Sequence, residues 1–216
     1  MRAFLRRFGG VLAVAVVSIS IGGGLARADD AEDCSSEDND RRIAGCTEVL
    51  ATPDLPPDMA ALAYSMRALA YSVKGQYDKA LPDYDRALAI NPNFAAALNN
   101  RAWALFKAGR AESGKDDVER SLALQPGSPH ALDTRAHIRQ TLGKVDDAMA
   151  DYELAMRFGG ERIVKLYQCG LQAQGLYKGD VDGIYSSAVK QALKSCVSSR
   201  SCDPLPAEEE CRRVTS

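Results

Sequence analysis

The side chains with the clearest potential for chemistry are two histidines and an aspartate in the second half of the chain. His130, Asp133 and His137 are spaced i, i+3 and i+7, which places them on one face of a helix. Imidazole and carboxylate groups are ligands that suit zinc. The first and last residues would lie roughly 10 Å apart along the helix, however, and one ion would not reach both. The spacing therefore favours a polar helix face, and the sequence indicates neither a metal nor a cofactor.

A second set consists of three arginines, each followed by an aspartate 16 residues later. The pairs are Arg67 with Asp83, Arg101 with Asp117, and Arg135 with Asp151. Such a spacing joins the middle of one helix to the middle of the next. One interpretation is a repeated ion pair between helices, with the arginine stem packed beneath it. The other is a ladder of arginines that binds ligand carboxylates. The matched aspartates favour the ion pairs.

The six cysteines form a third set, and none lies between residues 61 and 160. An even number of cysteines in an exported chain favours disulfides. No Cys-x-x-Cys is present, which is unfavourable for zinc or thioredoxin-like chemistry. Pairing each cysteine with a near neighbour predicts three local disulfides: Cys34 with Cys46, Cys169 with Cys196, and Cys202 with Cys211.

Residues 1–28 have the features of a secretory signal peptide. A start with three arginines precedes an apolar run at residues 11–21 and a small-x-small cleavage site, Ala26-Arg27-Ala28. We therefore expect an exported protein of the bacterial periplasm, with no membrane attachment after cleavage. Removing four arginines and no acidic residue would take the formal net charge from −2 to −6.

This acidic charge is unsuited to nucleic acid, which needs a basic face. The sequence also lacks a nucleophile beside a base, a paired-acid pocket or a phosphate-binding loop. We therefore predict that the protein is not an enzyme.

The elements that must position these side chains repeat every 34 residues between about 61 and 160. The repeated positions are Gly75, Gly109 and Gly143; Ala68, Ala102 and Ala136; and the arginines and aspartates of the three pairs. This period predicts helix–turn–helix units. In the first unit, Tyr64, Ala68 and Tyr71 lie on one helical stripe, and Ala80 and Tyr84 on the next. Neither helix buries its stripe alone, so we expect stacked units to supply the core.

The pattern Tyr64-x-x-Arg67-Ala68-x-x-Tyr71, followed by Ala80 and Tyr84, resembles the tetratricopeptide repeat. In the second copy Gly114 and Val118 replace the second-helix alanine and tyrosine, and in the third Arg139 replaces Tyr71. The resemblance implies an all-α solenoid of helical hairpins over residues 59–160, in units of about 61–94, 95–128 and 129–160. It also implies a concave groove that holds proteins or peptides.

In this family the groove is lined by the exposed face of each first helix. The corresponding residues here are Ser65, Leu69, Asn99, Trp103, Phe106, His130, Asp133 and His137. Trp103 and Phe106 are large apolar side chains of the kind that anchor interfaces. Packing of Trp103 against a neighbouring unit is the equally weighted alternative.

The flanking segments read as caps. Residues 29–58 carry one predicted helix from 40 to 50, preceded by an irregular stretch that Cys34–Cys46 would tie down. Residues 161–200 predict two helices around a glycine-rich loop, and residues 201–216 a polar tail. The loop contains Tyr177, Gly179, Asp182, Gly183 and Tyr185. With these residues the segment resembles a shortened peptidoglycan-binding domain.

Together these features predict an exported, non-catalytic scaffold that binds a protein or peptide partner in its groove. The alternative is a cell-wall protein in which the C-terminal module binds peptidoglycan and the repeats act as a spacer.

Overall fold

A computed structural model of the protein describes residues 28–199, 202–205 and 211. The predicted signal peptide, except for Ala28, and most of the polar tail lie outside these residues. The helices are α1 (Ala28–Cys34), α2 (Asn39–Leu50), α3 (Pro57–Val73), α4 (Tyr77–Ile90), α5 (Ala95–Lys107), α6 (Lys115–Leu124), α7 (Pro129–Thr141), α8 (Val145–Ala173) and α9 (Ser187–Val197), with a 3₁₀ turn at Ala111–Gly114. No strand occurs in the described ranges, so the all-α helical-repeat prediction is confirmed. None of these helices has the length and apolar character that a membrane crossing requires.

The turns within the hairpins share one geometry. Gly75, Gly109 and Gly143 all have positive φ, between 70° and 78°. At the first turn, the amide of Gln76 donates to the carbonyl of Tyr71 at 2.8 Å, which satisfies a carbonyl at the end of α3. Glycine adopts this left-handed conformation without steric cost, so it ends a helix cheaply. The 34-residue spacing of these glycines therefore sets where each first helix stops.

Small residues let the paired helices approach, and large residues fill the space between units. Ala68, Ala80 and Ala97 are completely buried, as are Tyr84 and Leu98, and all five belong to one core cluster. Gly114, at the position of Ala80, explains the weaker second copy. A Cβ atom there would lie 2.9 Å from the backbone oxygen of Ala102, so only glycine fits this close approach.

The repeated arginines form bidentate ion pairs within each hairpin, and the ion-pair interpretation is confirmed. Nε and Nη2 of each arginine donate to the two carboxylate oxygens of its aspartate at 2.6 to 3.0 Å. The three aspartates are buried. Because the carboxylates have left water, the pairs fix how α3, α5 and α7 lie against their second helices.

Two of these arginines also contact the preceding unit. Nη1 of Arg101 donates to Asp85 on α4 at 2.7 Å, and Nη1 of Arg135 donates to Glu119 on α6 at 2.8 Å. The same guanidinium thus joins its own hairpin to the one before it.

The N-terminal cap is a pair of helices rather than one helix with an irregular lead-in, because residues 28–34 form α1. The predicted Cys34–Cys46 disulfide is confirmed, with Cα atoms 4.4 Å apart. Gly45 allows this contact: a Cβ atom there would lie 2.5 Å from the backbone nitrogen of Cys34.

At the other end, α8 continues past the third predicted unit through a kink at Gly160, where φ is 64° and ψ is −158°. Beyond the kink α8 lies beside α7, since the hydroxyl of Tyr167 donates to the carboxylate of Asp133, 34 residues earlier. A loop and α9 then complete the C-terminal module.

Candidate partner groove

The first helices α3, α5 and α7 lie side by side, with α5 contacting both of the others. We call the surface that they line the groove. The side chains of Leu69, Asn99, Trp103 and Phe106 are half-buried there, and His130 is exposed. Ser65 is only 5% exposed, so its prediction as an accessible groove residue is wrong. Helix α3 is contacted by α1, α2, α4 and α5, and a short serine side chain does not reach beyond such neighbours.

An aromatic row crosses the groove from α5 to α8. The ring centroids of Trp103 and Phe106 are 5.1 Å apart, and that of Trp103 lies 5.2 Å from His137 in an edge-on arrangement. Beyond His137 the row continues through Tyr152 at 5.2 Å to Tyr167. Such edge-to-face contacts orient the rings. Only the α5 end of this row, Trp103 and Phe106, retains partial exposure.

His137 is buried with a carboxylate on each side, and its prediction as an open groove residue is wrong. Its side chain is 3% exposed. Nδ1 lies 2.9 Å from the carbonyl oxygen of Asp133 and 3.4 Å from its carboxylate, and Nε2 lies 3.0 Å from Oδ1 of Asp203. Burial alone would lower the pKa of His137, but the two carboxylates outweigh it and raise the pKa to about 10.

Asp203 belongs to a short stretch, Cys202–Leu205, which we call the tail segment. Burial would raise the pKa of Asp203, but its bond with His137 holds that pKa below the ordinary value. Oδ1 also accepts from the amide of Leu205 at 3.0 Å, and Pro204 is buried. The tail segment therefore lies against the α7 part of the groove.

Gln140, one helical turn beyond His137, binds the chain at the same place. Its Nε2 donates to the carbonyl oxygens of Ser199 at 2.8 Å and Cys202 at 2.7 Å. Its Oε1 accepts from the hydroxyl of Tyr152 at 2.8 Å. The side chain is 3% exposed, so each of these bonds satisfies a polar group that water does not reach.

The histidine–aspartate set does not come together as metal ligands. Both ring nitrogens of His137 are engaged, the carboxylate of Asp133 accepts from Tyr167, and His130 faces outward. Across the described ranges, no group of three or more His, Cys, Asp or Glu side chains could hold a metal ion.

The two C-terminal disulfides differ from the predicted pairing. Cys196 pairs with Cys202, six residues later, and Cys169 pairs with Cys211. After α9 the chain turns back, with the amide of Cys202 donating to Ser199 at 3.3 Å, so Cys202 meets the end of the helix that it has just left. Cys211 is then the remaining partner for Cys169 on α8. The predictions of Cys169–Cys196 and Cys202–Cys211 are therefore wrong.

The glycine-rich loop of the C-terminal module is organised by Gln168, which sequence reasoning missed. This residue is completely buried. Its Nε2 donates to Oδ1 of Asp182 at 2.6 Å, and its Oε1 accepts from the amide of Gly183 at 2.8 Å. The bond from Gln168 Nε2, together with that from the Ile184 amide, holds the pKa of Asp182 below its usual range. The side-chain amide of Gln168 therefore binds the loop through both its nitrogen and its oxygen.

The remaining predicted loop residues serve the packing of the module. Tyr177 is buried and donates to the carbonyl of Asp180 at 3.0 Å, and Tyr185 donates to Glu153 on α8 at 3.0 Å. A Cβ atom on Gly179 would lie 2.4 Å from the hydroxyl of Tyr177. A cavity of about 390 Å³ lies between this loop and α9; its lining includes Tyr177, Lys178, Gln191 and Ser195.

Comparison with known families supports the repeat assignment. Two family models, both described as tetratricopeptide repeat, match residues 61–94 and 83–115. No curated protein matches the chain. The two matches support a tetratricopeptide-repeat protein, and such repeats indicate a scaffold for protein–protein interaction.

Proposed function

We propose that this chain is an exported, non-catalytic scaffold that binds a protein or peptide partner in the part of the groove formed by α3 and α5. The observation that carries the proposal is the partial exposure of Trp103 and Phe106 on α5. The tail segment contacts α7, so α3 and α5 are the part of the groove that remains for a partner.

Helix α3 continues this apolar surface. Leu62 is 52% exposed and Val73 is 48% exposed, and Leu69 lies between them. Leucine and valine side chains left in water along one helix mark an interaction surface. On α5, the ammonium of Lys107 lies 5.4 Å from the centroid of Trp103 and provides a charged edge. An apolar centre with a charged rim is the usual composition of an interface.

Export is supported by the cysteines. All six cysteines form disulfides. Two of these disulfides lie in the C-terminal part, one starting from α8 and the other from α9. Disulfides persist in oxidising compartments and are rare in the cytosol. Together with the predicted signal peptide at residues 1–28, this supports a periplasmic location. Fractionation of the producing cells, with mass determination of the mature N-terminus, tests it; a cytosolic protein that retains residues 1–28 would contradict it.

The partner site is tested by photocrosslinking in intact cells. A photoreactive residue in place of Leu69 lies in the groove, and one in place of the exposed Ala89 on α4 is the matched control. We expect a defined protein product from position 69 and none from position 89. Equal products at both positions would contradict the proposal.

Binding of the captured partner is then measured with purified protein. Trp103 is the only tryptophan in the sequence, so its fluorescence reports directly on the groove. We expect Trp103→Ala to weaken binding by roughly 30-fold, the effect of removing an interface anchor. Trp103→Phe should retain part of the affinity. Unchanged binding by Trp103→Ala would place the interface elsewhere.

The second candidate is cell-wall binding through the C-terminal module, with the repeats as a spacer. The cavity beside the glycine-rich loop favours it, because Lys178, Gln191 and Ser195 give it polar walls. Sedimentation with insoluble peptidoglycan tests this candidate. Binding that is lost in Lys178→Ala/Gln191→Ala but kept in Lys194→Ala, an exposed change on the same helix, would support it. No sedimentation of the parent protein would exclude it.

A further inference from the structure

The contacts of the tail segment are those of a bound peptide. Asp203 gives a carboxylate to His137, and the carbonyls of Ser199 and Cys202 accept from Gln140. A charged side chain and two backbone carbonyls are thus bound by two residues of one groove helix. A side chain that binds backbone carbonyls recognises a segment irrespective of its exact sequence, whereas the carboxylate adds selectivity.

Two groove residues depend on the tail segment for part of their hydrogen bonding. Without it, Nε2 of Gln140 would lose the carbonyl of Cys202 and keep that of Ser199, while its Oε1 stays bonded to Tyr152. His137 would keep Asp133 but lose Asp203. A buried donor left without a partner is costly, so this part of the groove requires an occupant.

We infer that the α7 part of the groove is a binding subsite for a short segment that carries an aspartate, and that the tail segment is its occupant within the same chain. A partner segment of the same chemistry binds there only in exchange for the tail segment. This inference rests on the proposed function, since it assigns a ligand class to the same groove.

Two disulfides keep the occupant in place. Cys196–Cys202 fixes the start of the tail segment to the end of α9, and Cys169–Cys211 fixes the chain beyond it to α8. A short tether gives an intramolecular ligand an effective concentration on the order of millimolar. A free peptide with the same contacts must compete against that concentration. Its apparent affinity is therefore reduced in proportion to the small fraction of molecules in which the subsite is open.

The probe is a fluorescent peptide of residues 199–205 carrying Cys202→Ser, and the matched control peptide also carries Asp203→Asn. The proteins are the full chain, a tail-released variant (Cys196→Ser/Cys202→Ser/Asp203→Ala), and Asp180→Ala as a control at an exposed aspartate of the same module. We expect the probe to bind the tail-released variant at least about tenfold more tightly than the parent and the Asp180→Ala protein.

In the tail-released protein, His137→Gln should weaken binding of the probe, whereas Thr141→Ala, at an exposed residue of the same helix, should not. The control peptide should bind about tenfold more weakly than the probe. Equal affinity of the probe for the parent and the released variant, or equal affinity of the two peptides, would overturn the inference. Should circular dichroism show that the triple variant loses helix, Asp203→Asn in the otherwise intact chain replaces it and must give the same order of affinities.

The outcome is separable from that of the proposed function. Crosslinking from position 69 with a Trp103-dependent partner, combined with no binding of the probe, would retain the scaffold and reject the occupied subsite. Probe binding without any partner captured at position 69 would do the reverse.

Discussion

The imidazole Nε2 of His137 lies 3.0 Å from Oδ1 of Asp203, although 66 residues separate them along the chain. This contact joins the third hairpin to the segment that follows α9. The carboxylate of Asp203 thus faces Nε2 of His137, while Nδ1 of the same ring already faces Asp133. The α7 part of the groove, with its buried polar side chains, is therefore occupied by the tail segment of the same chain.

The first prediction concerns the pH dependence of stability. The groups around His137 are Asp133, Asp203, Tyr152 and Tyr167, and the folded-state pKa of about 10 lies above the ordinary value of 6.5. A raised folded pKa contributes stability that is fully present below pH 6.5 and is lost as the pH rises through about 10. The free energy of unfolding of the parent, minus that of His137→Gln, should therefore decrease across this window in urea titrations. A pH-independent difference would show that His137 is neutral in the folded protein.

The second prediction ranks the three repeated arginines. Arg86 and Arg139 give Asp83 and Asp151 a second cation, whereas among the described residues Arg101 alone pairs with the carboxylate of Asp117. Arg101→Met should therefore cost about 3–5 kcal/mol, as expected for a buried charge without a partner. Arg67→Met and Arg135→Met should cost less.

Chemical denaturation of the three variants measures this order. Adding Asp117→Leu to Arg101→Met should recover much of the loss, because the buried carboxylate is then gone. Equal losses for all three arginines, without recovery in the double variant, would show that guanidinium packing matters more than charge.

The third prediction is the disulfide map. Trypsin cleaves after Lys165, Lys178, Lys194, Arg200 and Arg212, so the four C-terminal cysteines fall on three peptides. Pairing of Cys196 with Cys202 and of Cys169 with Cys211 joins all three peptides into one unreduced species. Pairing of Cys169 with Cys196 and of Cys202 with Cys211 would instead give a two-peptide species and a single peptide with an internal disulfide. Non-reducing mass spectrometry distinguishes these patterns, and the two-peptide species would contradict the structure.

The fourth prediction concerns the kink in α8. Gly160 has φ 64° and ψ −158°, a region nearly closed to residues with a side chain. Gly160→Ala should lower the free energy of unfolding by roughly 1–3 kcal/mol. Gly109→Ala, at a positive-φ turn with no atom near the added methyl, is the matched control and should cost about 1 kcal/mol. Thermal melts of both proteins test the order, and an equal or smaller effect at Gly160 would show that the kink relaxes.

The array and its ion pairs were predictable because they repeat. A 34-residue period places Arg67 and Asp83 on facing helices, and two further copies of the spacing made the ion pairs the favoured interpretation. Cys34–Cys46 was also predictable, because the two residues are close in sequence and one lies on a well-marked helix.

The occupation of the groove was not predictable from the same signals. His137 and Asp203 share no period, and a short polar stretch after α9 resembles any frayed terminus. Pairing the cysteines in order along the chain failed at Cys196, because a turn after α9 brings Cys202, six residues later, back to the end of that helix. Gln168 was missed for a related reason, since a buried glutamine is recognised only when the loop that it holds is known.

The acidic residues that take the backward bond of each arginine also follow the period. Asp85 and Glu119 stand 34 residues apart, and Glu153 at the next position is used by Lys190 and Tyr185 of the C-terminal module. Every hairpin therefore carries the arginine on its first helix and an acidic residue at the equivalent position of its second helix. A duplication or loss of one whole hairpin would regenerate a matching joint, so evolution, or an engineer, is free to change the length of this array in steps of one hairpin.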